Sequence, residues 1–247
     1  MNATANYEVT LVIPVCSVEE CLPSLFTALD DYKRNTALKF CVLFVNDASN
    51  DKSGVLIKDY CMRVNNAFYI TLMRHVGLIG SLKVGIERTS SPYVAYMDPL
   101  MRCAPADLDL LYEKAKDCAL VVGERHFEKK SKCRHLLIRL LNFIRRTVTL
   151  DRLEDPSYPA MLMHTEIAKK LPWYSGMQAF IPALVMLHGF RVIYVTLKAT
   201  RKNLIKRRVS WPCEIVKGAV NLAVFIWRWR TAILKITENF KCSEINA

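Results

Sequence analysis

The sequence lacks the features that mark secreted proteins and zinc-finger proteins. No two of its nine cysteines form a C-x-x-C pair, and its five histidines show no ligand spacing with them. The pattern therefore predicts no zinc site, and it favours reduced thiols in a cytoplasmic protein. The N-terminus MNATANYEVTLVIPV has no basic region ahead of an apolar core, so it is not typical of a secretion signal.

Long apolar runs are also missing. A membrane-spanning helix needs about 20 apolar residues. The nearest candidate, GAVNLAVFIW at 218–227, is too short, contains Asn221 and lies between Lys217 and Arg228. The chain has no Gly/Ser linker and no internal repeat. Apolar residues make up 52% of its 247 positions, which is enough for one sizeable folded domain.

Positive charge is in excess, with a formal net charge of +12. This favours an anionic partner: a nucleic acid, a membrane surface or a phosphorylated substrate. A helix within 132–147 and the tail 213–236 each combine an apolar face with Arg and Lys, and the tail adds Trp227 and Trp229. Such helices are typical of membrane surfaces, with core-facing helices as the alternative. No nucleic-acid motif is present, so a nucleic-acid partner is not expected.

The first half of the chain alternates apolar runs with amphipathic segments. Strands are predicted over 8–15, 39–47, 67–73, 93–97, 118–125 and 189–197, and helices over 18–34, 51–64, 78–89 and 105–116. This alternation predicts an α/β fold with a mostly parallel, doubly wound sheet flanked by helices. Ligands of such sheets bind at the carboxyl ends of the strands. Pro14–Val15, Asn46–Asp47, Arg74–His75 and Asp98 are therefore expected along one edge.

In this order the segments resemble glycosyltransferase family 2, which has the GT-A fold, and especially its dolichol- and polyprenyl-phosphate sugar synthases. The resemblance covers about residues 8–210. It rests on VTLVIPVCSVEECLPSLFTAL, FVNDASNDKS, MRHVGLIGSLKVGIE, YVAYMDPLMRCAPADLDLL and GFRVIYVTLKATR. It implies a GT-A domain over 1–210, followed by a basic amphipathic tail over 211–247.

The resemblance implies a nucleotide-sugar donor at the strand ends. Asp47 would contact the base, the Pro14–Val15 backbone would line it, and Asp98 would hold the ribose or a metal ion. His75, at the family's Asn position, would face the diphosphate. From the residues alone, Asp47 fits a helix cap or turn carboxylate equally well, and His75 fits a turn histidine.

The sequence departs from the family at the metal motif. The D-A-D motif is Asp98–Pro99–Leu100, the family's Gln position holds Arg102, and Asn46 replaces the first acid of D-D-G-S. The D-A-D motif normally supplies two acids to a divalent cation, Mg²⁺ or Mn²⁺. Here Asp98 is the one that remains, so binding of such a cation is in doubt. In one interpretation Arg102 puts a guanidinium where the cation would sit and acts in catalysis with Asp98. In the other the chain is an inactive GT-A relative that binds or scaffolds. A solvated loop cation is the simpler alternative for Arg102.

The acceptor implied by the resemblance is a lipid-linked phosphate. Because the attacking group is already anionic, no general base is needed, and catalysis depends on positioning and on stabilising the leaving diphosphate. In the basic loop TRKNLIKRR, Arg201 takes the family's Arg position and Lys206 or Arg207 its Lys, although the family's glycine and serine are missing. The expectation is an enzyme of cell-envelope glycan synthesis, peripheral on the inner face of the cytoplasmic membrane.

Overall fold

The computed structural model describes residues 4–125, 158–197, 220–221 and 223–226. Residues 4–125 and 158–197 belong to one compact unit, which contains the sheet. The other described residues are helical and belong to a second unit, in agreement with part of the helix predicted over 213–236. The segment 132–147 and the boundary between 1–210 and 211–247 lie outside the described residues, so both stay predictions.

The sheet has seven strands. They are β1 (Val9–Val15), β2 (Phe40–Asn46), β3 (Ala67–Thr71), β4 (Tyr93–Met97), β5 (Leu120–Arg125), β6 (Ala160–His164) and β7 (Val192–Leu197). Their spatial order is β3-β2-β1-β4-β6-β5-β7. The first four are parallel, β5 is parallel to β7, and β6 is antiparallel to both of its neighbours. The predicted mostly parallel sheet is confirmed.

Within residues 4–125 and 158–197, six helices and one 3-10 helix accompany the strands. They are α1 (Leu22–Asn35), α2 (Ser53–Arg63), α3 (Gly77–Glu87), α4 (Asp107–Ala115), α5 (Thr165–Lys170), the 3-10 helix Met177–Phe180 and α6 (Ile181–Leu187). The four predicted helices are confirmed, although α1 begins four residues later than expected, where Pro23 occupies its first turn. Within the described residues, no helix has the length and apolarity needed to cross a membrane.

The core lies on both faces of the sheet. All residues of β1 and β2 are buried, as expected for strands covered on two sides. One face packs against α1, α2 and α4, through Leu22, Leu25, Leu29, Ile57, Leu108 and Leu111. The other packs against α3, α5 and α6, through Ile79, Leu82, Ile86, Ala168, Ile181 and Val185. A Cβ on Gly85 would lie 2.5 Å from Cγ1 of Val12, so the close approach of α3 to β1 requires glycine there.

A buried thiol on β2 is expected to make the stability of the fold fall at alkaline pH. Cys41 is fully buried, and burial raises its pKa from the ordinary 9.0 to about 11. The folded chain therefore holds this proton more tightly than the unfolded chain. The resulting contribution to stability is complete below about pH 9 and is lost as the pH rises through about 11.

We expect the free energy of unfolding to fall by about 2 kcal/mol between neutral pH and pH 11 on account of this thiol. Urea unfolding of the parent and of Cys41→Ala at a series of pH values measures the effect. The variant lacks the thiol, so its stability should fall less steeply over this interval. Parallel pH curves for the two proteins would contradict the assignment.

Candidate functional site

The carboxyl ends of four parallel strands meet at one edge of the sheet. β1 ends at Val15, β2 at Asn46, β3 at Thr71 and β4 at Met97, and these strands are neighbours in the order β3-β2-β1-β4. The backbone N–H of Asp47 donates to the carbonyl of Val15 at 2.8 Å, which ties the first two turns together. The strand order thus brings the four predicted turns to one edge, where ligands of this fold class bind.

In the turn after β1, the residues that reach the surface follow the two that were predicted to line the donor site. Pro14 and Val15 are both buried, whereas Cys16 is partly exposed and Ser17 is exposed. Ser17 has a φ of 50°, in the left-handed region that non-glycine residues adopt only occasionally. A ligand at this edge would therefore meet Cys16 and Ser17 before it met the backbone of Pro14–Val15.

Asp47 lies under the turn that leads into α3. Its side chain is 3% exposed. The backbone N–H of Val76 donates to its Oδ1 at 2.7 Å, and that of Gly77 donates to its Oδ2 at 2.8 Å. Val76 and Gly77 are the cap and the first residue of α3, where a negative charge is favourable. Asp47 therefore caps a helix, although it caps α3 and not the helix that follows its own turn.

His75 lies over this carboxylate with its side chain 64% exposed. Its Nδ1 is 2.9 Å from Oδ2 of Asp47. This contact is an ion pair when the imidazole carries its second proton. The Sγ of Cys16 lies 3.6 Å from the same Nδ1.

Asp98 follows β4 and is engaged by Arg102. The Asp98 side chain is 8% exposed, that of Arg102 is 29% exposed, and Nε of Arg102 forms an ion pair with Oδ2 of Asp98. The other oxygen, Oδ1, accepts the backbone N–H of Leu100 at 3.0 Å. The side chain of Arg102 is therefore partly buried and paired with an acid, which differs from the freely solvated loop cation of the simpler alternative.

Two further residues support this ion pair. The hydroxyl of the buried Tyr96 hydrogen-bonds with Arg102, and burial raises the pKa of Tyr96, so the hydroxyl stays neutral. Met101 has a φ of 51°, and its N–H donates to the carbonyl of Asp98 at 3.1 Å. This left-handed residue turns the chain so that Arg102 returns to the carboxylate of Asp98.

The residues of this turn do not fit the divalent cation of a D-x-D motif. The second acid position holds Leu100, whose side chain has no ligand atom. The remaining acid, Asp98, is paired with Arg102. Mg²⁺ and Mn²⁺ prefer several oxygen ligands, and here a cation would have to displace a guanidinium to gain one carboxylate. Asp98 is therefore poorly placed as a metal ligand.

Three candidate residues lie outside the described residues, and two residues that line the candidate site were not predicted. Arg201, Lys206 and Arg207, the candidates for the acceptor phosphate, lie outside the described residues. The roles of Tyr96 and Cys16 were missed, because a tyrosine in an apolar strand and an isolated cysteine carry no chemical signal in sequence.

The fold is of the GT-A type, as comparison with solved structures shows. It matches mannosyl-3-phosphoglycerate synthase from Rubrobacter xylanophilus with a TM-score of 0.69 and 12% identity, over 92% of this chain and 76% of that one. It matches glucosyl-3-phosphoglycerate synthase from Mycobacterium tuberculosis with a TM-score of 0.66 and 14% identity, over 92% and 81%. The latter was solved with Mn²⁺ and uridine diphosphate. At these identities the likeness concerns the fold.

Residues 10–171 match Glycosyl transferase family 2, and the chain belongs to this family. It is 26% identical to the undecaprenyl-phosphate 4-deoxy-4-formamido-L-arabinose transferase of Pseudomonas paraeruginosa over 184 residues. The matched segment covers 74% of this chain and 54% of that protein. The Pseudomonas fluorescens protein of the same name matches at 26% over 136 residues. The chain therefore spans about half the length of the curated relatives it matches. The family resemblance predicted from the sequence is confirmed.

Proposed function

We propose that this chain transfers a sugar from a nucleotide-sugar donor to a lipid-linked, polyprenyl-phosphate-like acceptor. The observation that carries the proposal is the family match over residues 10–171, which contains all four strand-end turns. The curated relatives are named for transfer to undecaprenyl phosphate. The net charge of +12 suits an anionic acceptor at a membrane surface.

The reaction needs no proton transfer at the start. An oxygen of the acceptor phosphate attacks the anomeric carbon of the sugar, and the bond from that carbon to the donor diphosphate breaks. The electron pair leaves with the nucleoside diphosphate, which therefore gains negative charge. Catalysis then depends on positioning the two phosphates and on stabilising the leaving group.

Arg102 is the residue that we assign to the leaving diphosphate. A guanidinium is planar and permanently charged, and it can donate hydrogen bonds to two phosphate oxygens at once. Asp98 holds Nε of Arg102, and the side chain of Arg102 is partly exposed, so a ligand at this edge can reach it. Asp98 and Tyr96 are then positioning residues for Arg102, and the reaction proceeds without a cation at Asp98.

The donor base is assigned to the turns after β1, β2 and β3. His75 presents an exposed ring at this edge, and an imidazole nitrogen can form a hydrogen bond with a base. Asp47 orients that ring, so its contribution to donor binding passes through His75. The Pro14–Val15 turn, continued by Cys16, supplies the adjoining wall.

The acceptor and membrane assignments rest on the sequence. Arg201, Lys206 and Arg207 are assigned to the acceptor phosphate, and the basic segments 132–147 and 213–236 to the membrane surface. Each cation near anionic lipid contributes about 1 kcal/mol, so several together would hold the chain at a bilayer. The proposed location is the inner face of the cytoplasmic membrane, where nucleotide sugars and lipid phosphates meet.

Calorimetric titration with UDP, GDP and their sugars tests the donor assignment. We expect binding of one nucleotide both with Mn²⁺ and with EDTA, because Arg102 occupies the turn where a cation would be held. Binding with Mn²⁺ alone would show that a cation is required, and the role of Arg102 would be wrong. Absence of binding under both conditions would favour an inactive relative that binds or scaffolds.

A further inference from the structure

Three metal-ligating side chains converge at the edge of the sheet. The Sγ of Cys16, a carboxylate oxygen of Asp47 and a ring nitrogen of His75 all lie within 4.8 Å of one another. These residues follow three different strands, and 59 positions separate Cys16 from His75. We infer that Cys16, Asp47 and His75 form a binding site for one borderline-soft divalent cation of the Zn²⁺ class.

The arrangement does not suit the other chemistry of a cysteine beside a histidine. In a nucleophile relay, the nucleophile and the carboxylate contact opposite nitrogens of the imidazole. Here Sγ of Cys16 and Oδ2 of Asp47 both lie at Nδ1 of His75, at 3.6 Å and 2.9 Å. Three donor atoms around one point are the geometry of a shared ligand, not of a relay.

The separations of Nδ1 from the other two donor atoms are within about 0.5 Å of those in a tetrahedral zinc centre. With ordinary zinc bond lengths, a nitrogen and a sulfur ligand lie about 3.6 Å apart, and a nitrogen and an oxygen about 3.4 Å apart. The separation of Nδ1 from Sγ is already 3.6 Å. The separation of Nδ1 from Oδ2 would have to grow from 2.9 Å by about 0.5 Å. His75 is mostly exposed, so its ring can make this movement without disturbing the core.

The ligand types select the cation. A thiolate with an imidazole and a carboxylate suits Zn²⁺ or Co²⁺, whereas Mg²⁺, Ca²⁺ and Mn²⁺ prefer oxygen ligands. The Asp47 carboxylate is oriented by the N–H groups of Val76 and Gly77, which is the support that metal ligands require. Three protein ligands leave the fourth tetrahedral position to water at this partly exposed place.

Binding has a defined proton balance. The Cys16 thiol loses its proton to solvent when it becomes a thiolate ligand, whereas a carboxylate ligand releases none. A neutral imidazole binds a metal ion through one ring nitrogen and keeps its proton on the other, so it also releases none. One proton is therefore released for each ion bound. Calorimetry in buffers of different ionisation enthalpy measures this number.

The test is a Co²⁺ titration of the full chain, without nucleotide, followed by displacement with Zn²⁺. Thiolate ligation of Co²⁺ produces a near-ultraviolet charge-transfer band. We expect the parent chain to bind one more Co²⁺ ion than the Cys16→Ser variant binds. The charge-transfer band of that additional ion should be absent in the variant. His75→Ala should weaken this site at least about tenfold, since losing even a supporting residue costs that much.

Two matched variants control for thiols and imidazoles elsewhere. Cys61→Ser removes a partly buried thiol on α2, and His188→Ala removes an exposed imidazole near the end of α6. Both should keep the parent's affinity and band. A full band in Cys16→Ser, or equal losses in the control variants, would overturn the site. Because no nucleotide is present, failure of this titration is separate from failure of the donor assignment, which uses the same edge.

Discussion

Replacing Arg102 with alanine is expected to lower kcat/KM for sugar transfer by about 100- to 1000-fold, the usual cost of removing one group that stabilises developing charge. The loss should fall mainly on kcat, because the charge of the leaving diphosphate grows in the transition state. Transfer of labelled sugar from a nucleotide donor to a polyprenyl phosphate, with EDTA present, measures the effect.

Two variants separate this role from a structural one. Arg102→Lys keeps a charge but loses the planar fork, so we expect it to recover only part of the rate. Arg34→Ala removes an exposed arginine that is also paired with an acid, Asp31, and should keep the parent rate. Wild-type kcat in Arg102→Ala, with the fold intact by circular dichroism, would show that Arg102 takes no part in the chemistry.

Replacing Asp47 with alanine is expected to lower the free energy of unfolding by about 2–4 kcal/mol. The change leaves the backbone N–H groups of Val76 and Gly77 without their carboxylate and removes the negative charge from the start of α3. It also releases the ring of His75. Urea unfolding at neutral pH measures the loss.

The matched control is Asp31→Ala. Asp31 is an exposed acid on α1 that pairs with Arg34, and exposed pairs contribute less than about 1 kcal/mol. We expect its removal to change stability by about 0.5 kcal/mol or less. Similar losses in both variants would show that the Asp47 carboxylate does not support the fold as described.

Local sequence patterns were sufficient for the first part of the fold. The apolar runs that form β1 to β5, and the helical spacing between them, predicted each of these elements to within a few residues. The reason is that a strand covered on both faces needs a continuous apolar run, and a helix on a sheet needs one apolar stripe. Parallel pairing then put the four strand-end turns at one edge, as the sequence predicted.

The antiparallel strand β6 could not be predicted in the same way. Its residues, AMLMH, include alanine, methionine and leucine, which favour helices at least as much as strands. Its place between β4 and β5 comes from pairing with residues that are distant in the chain, such as Tyr93 with His164. A short segment of this composition becomes a strand because the sheet offers it two partners.

Tertiary structure also decided which side chains of the candidate site contact one another. The sequence by itself determined that the second acid is absent and that a cation follows Asp98. Only the left-handed turn at Met101 brought Arg102 back onto that acid, and only the packing of β1, β2 and β3 brought Cys16, Asp47 and His75 together. Residue types and their order are local properties, whereas contacts between turns depend on strand pairing across the whole sheet.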